Sequence, residues 1–167
     1  MNFFQLRLSP HFTLREFCRS STADRLGIDN CPTDKNEADP GVIVERLRWI
    51  ANEICEPIRN EFGPFSPNSG YRCLDLNRAL RSGDRSRHRM GAAVDLEHPR
   101  VDNRELAMWI DEHCPGAHYI LLEFYRPTEP ASGWVHVEAW PNNDVPEECQ
   151  RKFRCARMVG GAFYCGH

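Results

Sequence analysis

His88 and Asp95 bracket the stretch His-Arg-Met-Gly-Ala-Ala-Val-Asp, and His136 follows in Gly133-Trp-Val-His-Val-Glu138. Two imidazoles and one carboxylate form a donor set suited to Zn2+, which takes His nitrogen and Asp oxygen at about 2.0–2.2 Å. Three protein donors leave one tetrahedral position open, and an open position separates a catalytic zinc from a structural one. The spacing of His88 and Asp95 is weak by itself. The same residue types also suit a loop histidine, a capping aspartate and a satisfied core histidine.

The elements around these residues must bring them together. Residues 82–90 are polar and loop-like, and Gly91 to Glu97 reads as a strand, so His88 enters from a loop and Asp95 from a strand. The small Gly-Ala-Ala between them lets backbone approach a metal closely. Val135, His136 and Val137 alternate within a strand from Trp134 to Trp140, which sets His136 on one face and both valines on the other. A further strand is expected over Tyr119 to Tyr125. Thr13 and Glu16 read as a capping box that opens a short helix. Ile43, Leu47, Ile50 and Ile54 mark an amphipathic helix over about 41–62, kinked or ended by Pro57. Short helices are expected over Leu74 to Arg81 and Asp102 to His113, with loops at 30–41 and 127–133. The order predicts an α+β fold: a small, mostly antiparallel sheet flanked by helices, with the metal site on the sheet face.

The chain has 167 residues, enough to bury a core without help from a metal or disulfides. We expect a domain over 1–140 and a cysteine-containing tail over 141–167 packed on that domain. Charged residues make up 27% and the net charge is −3, which gives no basic stripe for nucleic acid. No apolar run suits membrane insertion. The N-terminus does not read as a secretory signal, so we expect synthesis in the cytosol. The eight cysteines contain no Cys-x-x-Cys pair, which argues against a zinc ribbon. Scattered buried thiols, disulfides, and a second zinc site from Cys149, Cys155, Cys165 and His167 remain open readings.

Longer blocks sharpen the functional reading. Pro10 to Phe17, Gly27 to Pro32, Ser69-Gly-Tyr-Arg72, Leu76-Asn77, Ser86-x-His88-x-x-Gly91-x-Ala93-x-Asp95 and Trp134-Val-His136 occur in this order. Together they resemble the zinc D-Ala-D-Ala carboxypeptidase and L-alanyl-D-glutamate endopeptidase superfamily, closest to its phage-encoded branch. Hedgehog signalling domains share the metal-site fold but not these surroundings. The resemblance implies zinc held by His88, Asp95 and His136. It implies that Arg72 contacts substrate and polarises the scissile carbonyl or holds a carboxylate, and that Ser86 lines the site. Many relatives carry an acidic residue three positions before the last histidine, where this chain has Gly133. The branch it resembles places a glutamate in the preceding strand, and Glu123 in Leu121-Leu-Glu-Phe-Tyr125 fits that place as general base. Glu129 and Glu138 are alternatives.

The implied activity is hydrolysis of peptide bonds in peptidoglycan stem peptides, at the L-Ala-D-Glu or the D-Ala-D-Ala bond. The implied setting is a phage endolysin, holin-released, or a virion-associated wall hydrolase. A different class of function, a non-catalytic zinc-bound module such as a phage tail component, would keep the donors and dispense with the base. The basic cluster of Arg78, Arg81, Arg85, Arg87 and Arg89 reads either as solvated loop surface or as attraction to an anionic wall.

Overall fold

A computed structural model describes residues 5–129, 131–141 and 145–146, and the backbone of strands at 153–157 and 163–165. The elements run α1 (Leu14–Cys18), α2 (Ser21–Leu26), α3 (Pro40–Ile50), a π-helical segment (Ala51–Cys55), α4 (Glu56–Phe62), α5 (Leu74–Ala79), a 3-10 turn (Arg87–Met90), β1 (Ala93–Leu96), α6 (Asn103–His113), β2 (Ala117–Glu123), β3 (Trp134–Ala139), β4 (Phe153–Arg157) and β5 (Phe163–Cys165). The fold is α+β, as the sequence predicts.

Local chemistry accounts for most boundaries. Glu16 accepts from the Thr13 amide at 2.8 Å and from its hydroxyl at 2.9 Å, which fixes the start of α1. Asp39 caps α3 at the Val42 amide, and Pro40 occupies the first turn, where a missing N–H costs nothing. Proline 57 does not break the long helix. Instead the backbone widens over Ala51–Cys55, and the Glu56 amide reaches back to the Ala51 carbonyl. That i→i−5 pattern absorbs the bond Pro57 cannot donate, so α3, the π segment and α4 follow one another without a break in the chain's helical run. The expected kink is therefore a π segment.

The strands form one sheet in the order β1-β3-β2-β4-β5. The pairs β1–β3, β2–β3 and β4–β5 are antiparallel, and β2–β4 is parallel. β3 is hydrogen-bonded on both sides. Asp95 and Leu121 are both register partners of His136, so all three share a sheet face. Tyr119 and Glu123 follow that face along β2, and Trp134 and Glu138 follow it along β3. The opposite face carries Val94, Leu96, Ile120, Leu122, Val135, Val137 and Ala139. It joins Leu47, Ile50 and Ile54 of the long helix and Leu106 and Ile110 of α6 in one core. The sheet thus separates a dry face from a face that bears the candidate chemistry.

Gly91 and the alanines after it have a different task from the one their size suggests. A Cβ on Gly91 would lie 2.8 Å from the Ile43 carbonyl, and Ala92 and Ala93 are fully buried. The small residues let the strand pack tightly on α3. Cys18, Cys31, Cys55, Cys73 and Cys114 are buried and unbridged. Burial pushes the Cys55 thiol well up and the Cys114 thiol up to about 12, which leaves both unreactive. The side chains of Cys149, Cys155, Cys165 and His167, the residues of the second expected metal site, lie outside the described residues.

Candidate metal centre

His88, Asp95 and His136 converge. One donor atom from each lies within 4.8 Å of the others, and among the described residues this is the group of three or more His, Cys, Asp or Glu that meets that test. His88 and Asp95 are buried, and His136 is nearly so. Asp95 Oδ1 stands between the rings, 2.9 Å from His136 Nδ1 and 3.3 Å from His88 Nε2.

Hydrogen bonds decide which atoms face inward. His88 Nδ1 lies 2.6 Å from the Gly70 carbonyl. A carbonyl only accepts, so Nδ1 carries the hydrogen and Nε2 keeps its lone pair for the centre. The 3-10 turn carries His88 there, and Arg72 N–H donates to the His88 carbonyl at 3.2 Å. The Asp95 amide and the Ser69 carbonyl bond at 2.7 Å, so the segment around Ser69 runs along the open edge of β1. Arg72 exploits that placement. Its Nη2 donates to Asp95 Oδ2 at 2.5 Å, and its Nε donates to Ser69 Oγ at 2.9 Å. Two of five guanidinium N–H groups are thereby used, and the rest remain as donors.

The charges follow from this packing. Burial opposes ionisation of Asp95, but the two imidazoles outweigh it and hold the carboxyl far below the usual carboxylate range. Burial keeps His88 neutral, below its ordinary value. Burial would also lower His136, yet Asp95 on one nitrogen and Glu138 on the other prevail and push it up to about 9. A carboxylate, a neutral imidazole with a directed lone pair and a second imidazole flanked by carboxylates suit a divalent cation of zinc's character.

A cavity of about 450 Å3 opens beside the centre, lined by Arg85, Ser86, Arg87, His136 and Glu138. Ser86 is one of the residues lining that cavity. Glu123, the last residue of β2, pairs in register with Trp134 and shares the His136 face. As the diagonal neighbour of His136 it stands within reach of a long side chain on that face. Glu138 lies on that face too, with Oε1 3.6 Å from His136 Nε2. Glu129 is exposed and paired with Arg126 at 2.6 Å. His98 packs between Phe62 and Phe65, away from the centre, and His118 accepts from the Trp140 amide at 3.4 Å.

Three of the five clustered arginines have carboxylate partners. Arg78 meets Asp84, Arg87 meets Glu138 and Arg89 meets Glu37. Sequence reasoning missed Glu37. Its Oε1 accepts from Tyr71 Oη and from Arg89 Nη1, each at 2.5 Å. Tyr71 adjoins Arg72 and Arg89 adjoins His88, so one loop carboxylate ties together the two segments that flank the centre. A buried Asn30 does similar work, donating to the carbonyls of Cys18 and Tyr71 and accepting from the Cys73 amide.

The position three before His136 cannot hold an acidic side chain in this backbone. Gly133 has φ +69, and a Cβ there would run into the Glu123 carbonyl and come 2.8 Å from the Tyr125 amide nitrogen. Asn103 pins the same turn by donating to the carbonyls of Ser132 and Gly133.

A sheet face that gathers two imidazoles and an aspartate beside an open cavity defines a metallohydrolase-type centre. The profile of the Peptidase M15 family matches residues 10–138, and the chain belongs to that family. Its members are zinc-dependent peptidases, and at the level of the family they act on peptidoglycan. No curated protein matches the chain. Among the described residues no helix is long and apolar enough to cross a membrane.

Proposed function

We propose that this chain hydrolyses a peptide bond in peptidoglycan stem peptides, at the L-Ala-D-Glu or the D-Ala-D-Ala position, as a phage endolysin or a virion-associated wall hydrolase. The observation that carries this reading is the convergence of His88, Asp95 and His136 next to a cavity, with Glu123 on the same sheet face.

In this reading His88 Nε2, an Asp95 oxygen and His136 Nδ1 hold zinc. Bound there, zinc supplies Lewis acidity toward the scissile carbonyl and toward water. Glu123 takes a proton from the attacking water as the new C–O bond forms, then delivers it to the departing amine nitrogen as the C–N bond breaks. Its register partner Trp134 and Leu121, two residues before it, stand beside it on the same face. Arg72 keeps Asp95 in place, and its remaining N–H groups serve the substrate carbonyl or a substrate carboxylate. Ser86 offers a hydroxyl to the substrate in the cavity. Residues 1–140 form the catalytic domain.

The test is direct. Purified protein with zinc clears a peptidoglycan suspension, and a chelator stops it. Mass spectrometry of the digested muropeptides identifies the bond from the new termini. Zinc binding without any new termini would favour a non-catalytic module instead.

A further inference from the structure

The geometry points to Glu138 as a positioning residue that holds the outer nitrogen of His136 and so directs its inner nitrogen to the metal. The inference rests on the reading of His136 as a metal ligand and extends it.

An imidazole can give only one nitrogen to a metal. The other must carry a hydrogen, and an acceptor facing that N–H fixes the tautomer, stops ring rotation and strengthens the donor. For His88 the acceptor is the Gly70 carbonyl, and the inward atom is Nε2. For His136 the arrangement is reversed. Nδ1 turns inward, 2.9 Å from Asp95, and Nε2 turns outward to Glu138 Oε1 at 3.6 Å. The two rings therefore present different nitrogens to one point.

Glu138 is built for this place. It follows His136 by two residues on β3, so strand geometry puts both on one face. Its side chain is 15% exposed, and its Oε2 lies 3.5 Å from Arg87 Nε. The Arg87 guanidinium stands 5.6 Å above the Trp140 ring, which Arg46 also covers at 5.0 Å. Trp140 is buried at 1% exposure, so this support is anchored in the body of the protein. One carboxylate oxygen is held by Arg87, and the other faces the imidazole. Glu138 acts through His136, and proton transfer at the substrate falls to another residue.

Two measurements test this. The first is zinc affinity by chelator competition, with E138M and E138Q beside H136A. Met keeps the volume and the packing on Arg87 but accepts nothing, and Gln keeps an acceptor oxygen. E138M is expected to weaken zinc binding 10- to 100-fold, and E138Q to stay within about 3-fold of the unchanged protein. Unchanged affinity in E138M, or equal losses in both variants, overturns the inference. The second needs no variant. In the zinc-loaded protein, nitrogen-15 NMR of the histidine rings is expected to show His136 metallated at Nδ1 and protonated at Nε2, and the opposite tautomer overturns the inference. Should H136A bind zinc as tightly as the unchanged protein, the ligand reading itself fails. Loss in H136A with none in E138M removes only the role of Glu138.

Discussion

The His88 ring donates to the carbonyl of Gly70 at 2.6 Å, and this one bond selects the nitrogen left for a metal. Gly70 occupies its place because a Cβ there would meet the Phe17 carbonyl and ring at 2.8 Å. The Tyr71 amide, next in the chain, donates to that same Phe17 carbonyl at 2.8 Å. The orientation of a buried imidazole is thus set by how closely α1 approaches an extended segment.

Substituting Gly70→Ala should therefore act twice. Overpacking against Phe17 is expected to cost about 1–3 kcal/mol of stability. The displaced carbonyl should also weaken zinc binding, by about 10-fold or more. Urea unfolding of the metal-free protein and a zinc titration separate the two effects. A stability loss with unaltered zinc affinity would show that the carbonyl does not orient the ring.

Replacing Glu123 with alanine should leave zinc affinity within about 3-fold while lowering the hydrolysis rate about 10²- to 10⁴-fold, the range for a lost general base. Release of new amino termini from peptidoglycan is the measurement. Full activity in E123A would transfer the role of base to another carboxylate and leave the metal centre intact.

Installing the acidic residue that many relatives carry should not add activity here. In G133E the new Cβ meets the Glu123 carbonyl at a left-handed φ, so the expected outcome is a loss of at least about 2 kcal/mol and lower soluble yield. Circular dichroism melts and expression level report it. A stable G133E with raised turnover would mean that the turn can be rebuilt.

Zinc binding should tighten with pH. In the metal-free protein His136 titrates at about 9, above its ordinary 6.5, so it is protonated at neutral pH and zinc must displace that proton. Below pH 9 each unit of acidification weakens apparent affinity by up to about 10-fold through this group, and above pH 9 the dependence flattens. Stability of the metal-free protein follows the opposite sign. A raised histidine value contributes stability that is complete below pH 6.5 and lost as pH rises through about 9. Chelator competition between pH 6 and 10 checks the first statement, and urea midpoints over the same range check the second.

Removing Glu37 should loosen both segments beside the centre. E37A leaves Tyr71 Oη and the Arg89 guanidinium without their shared acceptor, at an expected cost of about 3 kcal/mol. Hydrogen exchange should rise in both 69–72 and 86–90. Protection lost in only one of them would show that the bridge is not shared.

Features written in short range were readable from the chain. Thr13 with Glu16, the alternation of Val135, His136 and Val137, and the apolar spacing of the long helix each lie within one turn or one pleat, and each produced the expected element. Helix α2 has local marks too, a Ser20 cap and Gly27 at its end, yet its six residues are too few to show a helical period. Glu37 left no such trace, because its partners stand 34 and 52 residues away. The β2–β4 pairing joins distant segments in parallel, which no turn signals. Glu138 was readable by strand parity as a residue of the His136 face. Its contact with the outer nitrogen depends on the ring's rotation, which Asp95 across the sheet helps to set.

β3 has neighbours on both of its edges, and it carries His136. A strand bonded on both flanks is among the last parts of a domain to open, since its exposure requires the whole assembly to come apart. Loss of the ion is therefore expected to leave His136 in place on β3, with Asp95 paired to it across the sheet. The emptied protein keeps a ready-made mould, and recovery from chelation should be limited by how fast zinc arrives, with no refolding step in between.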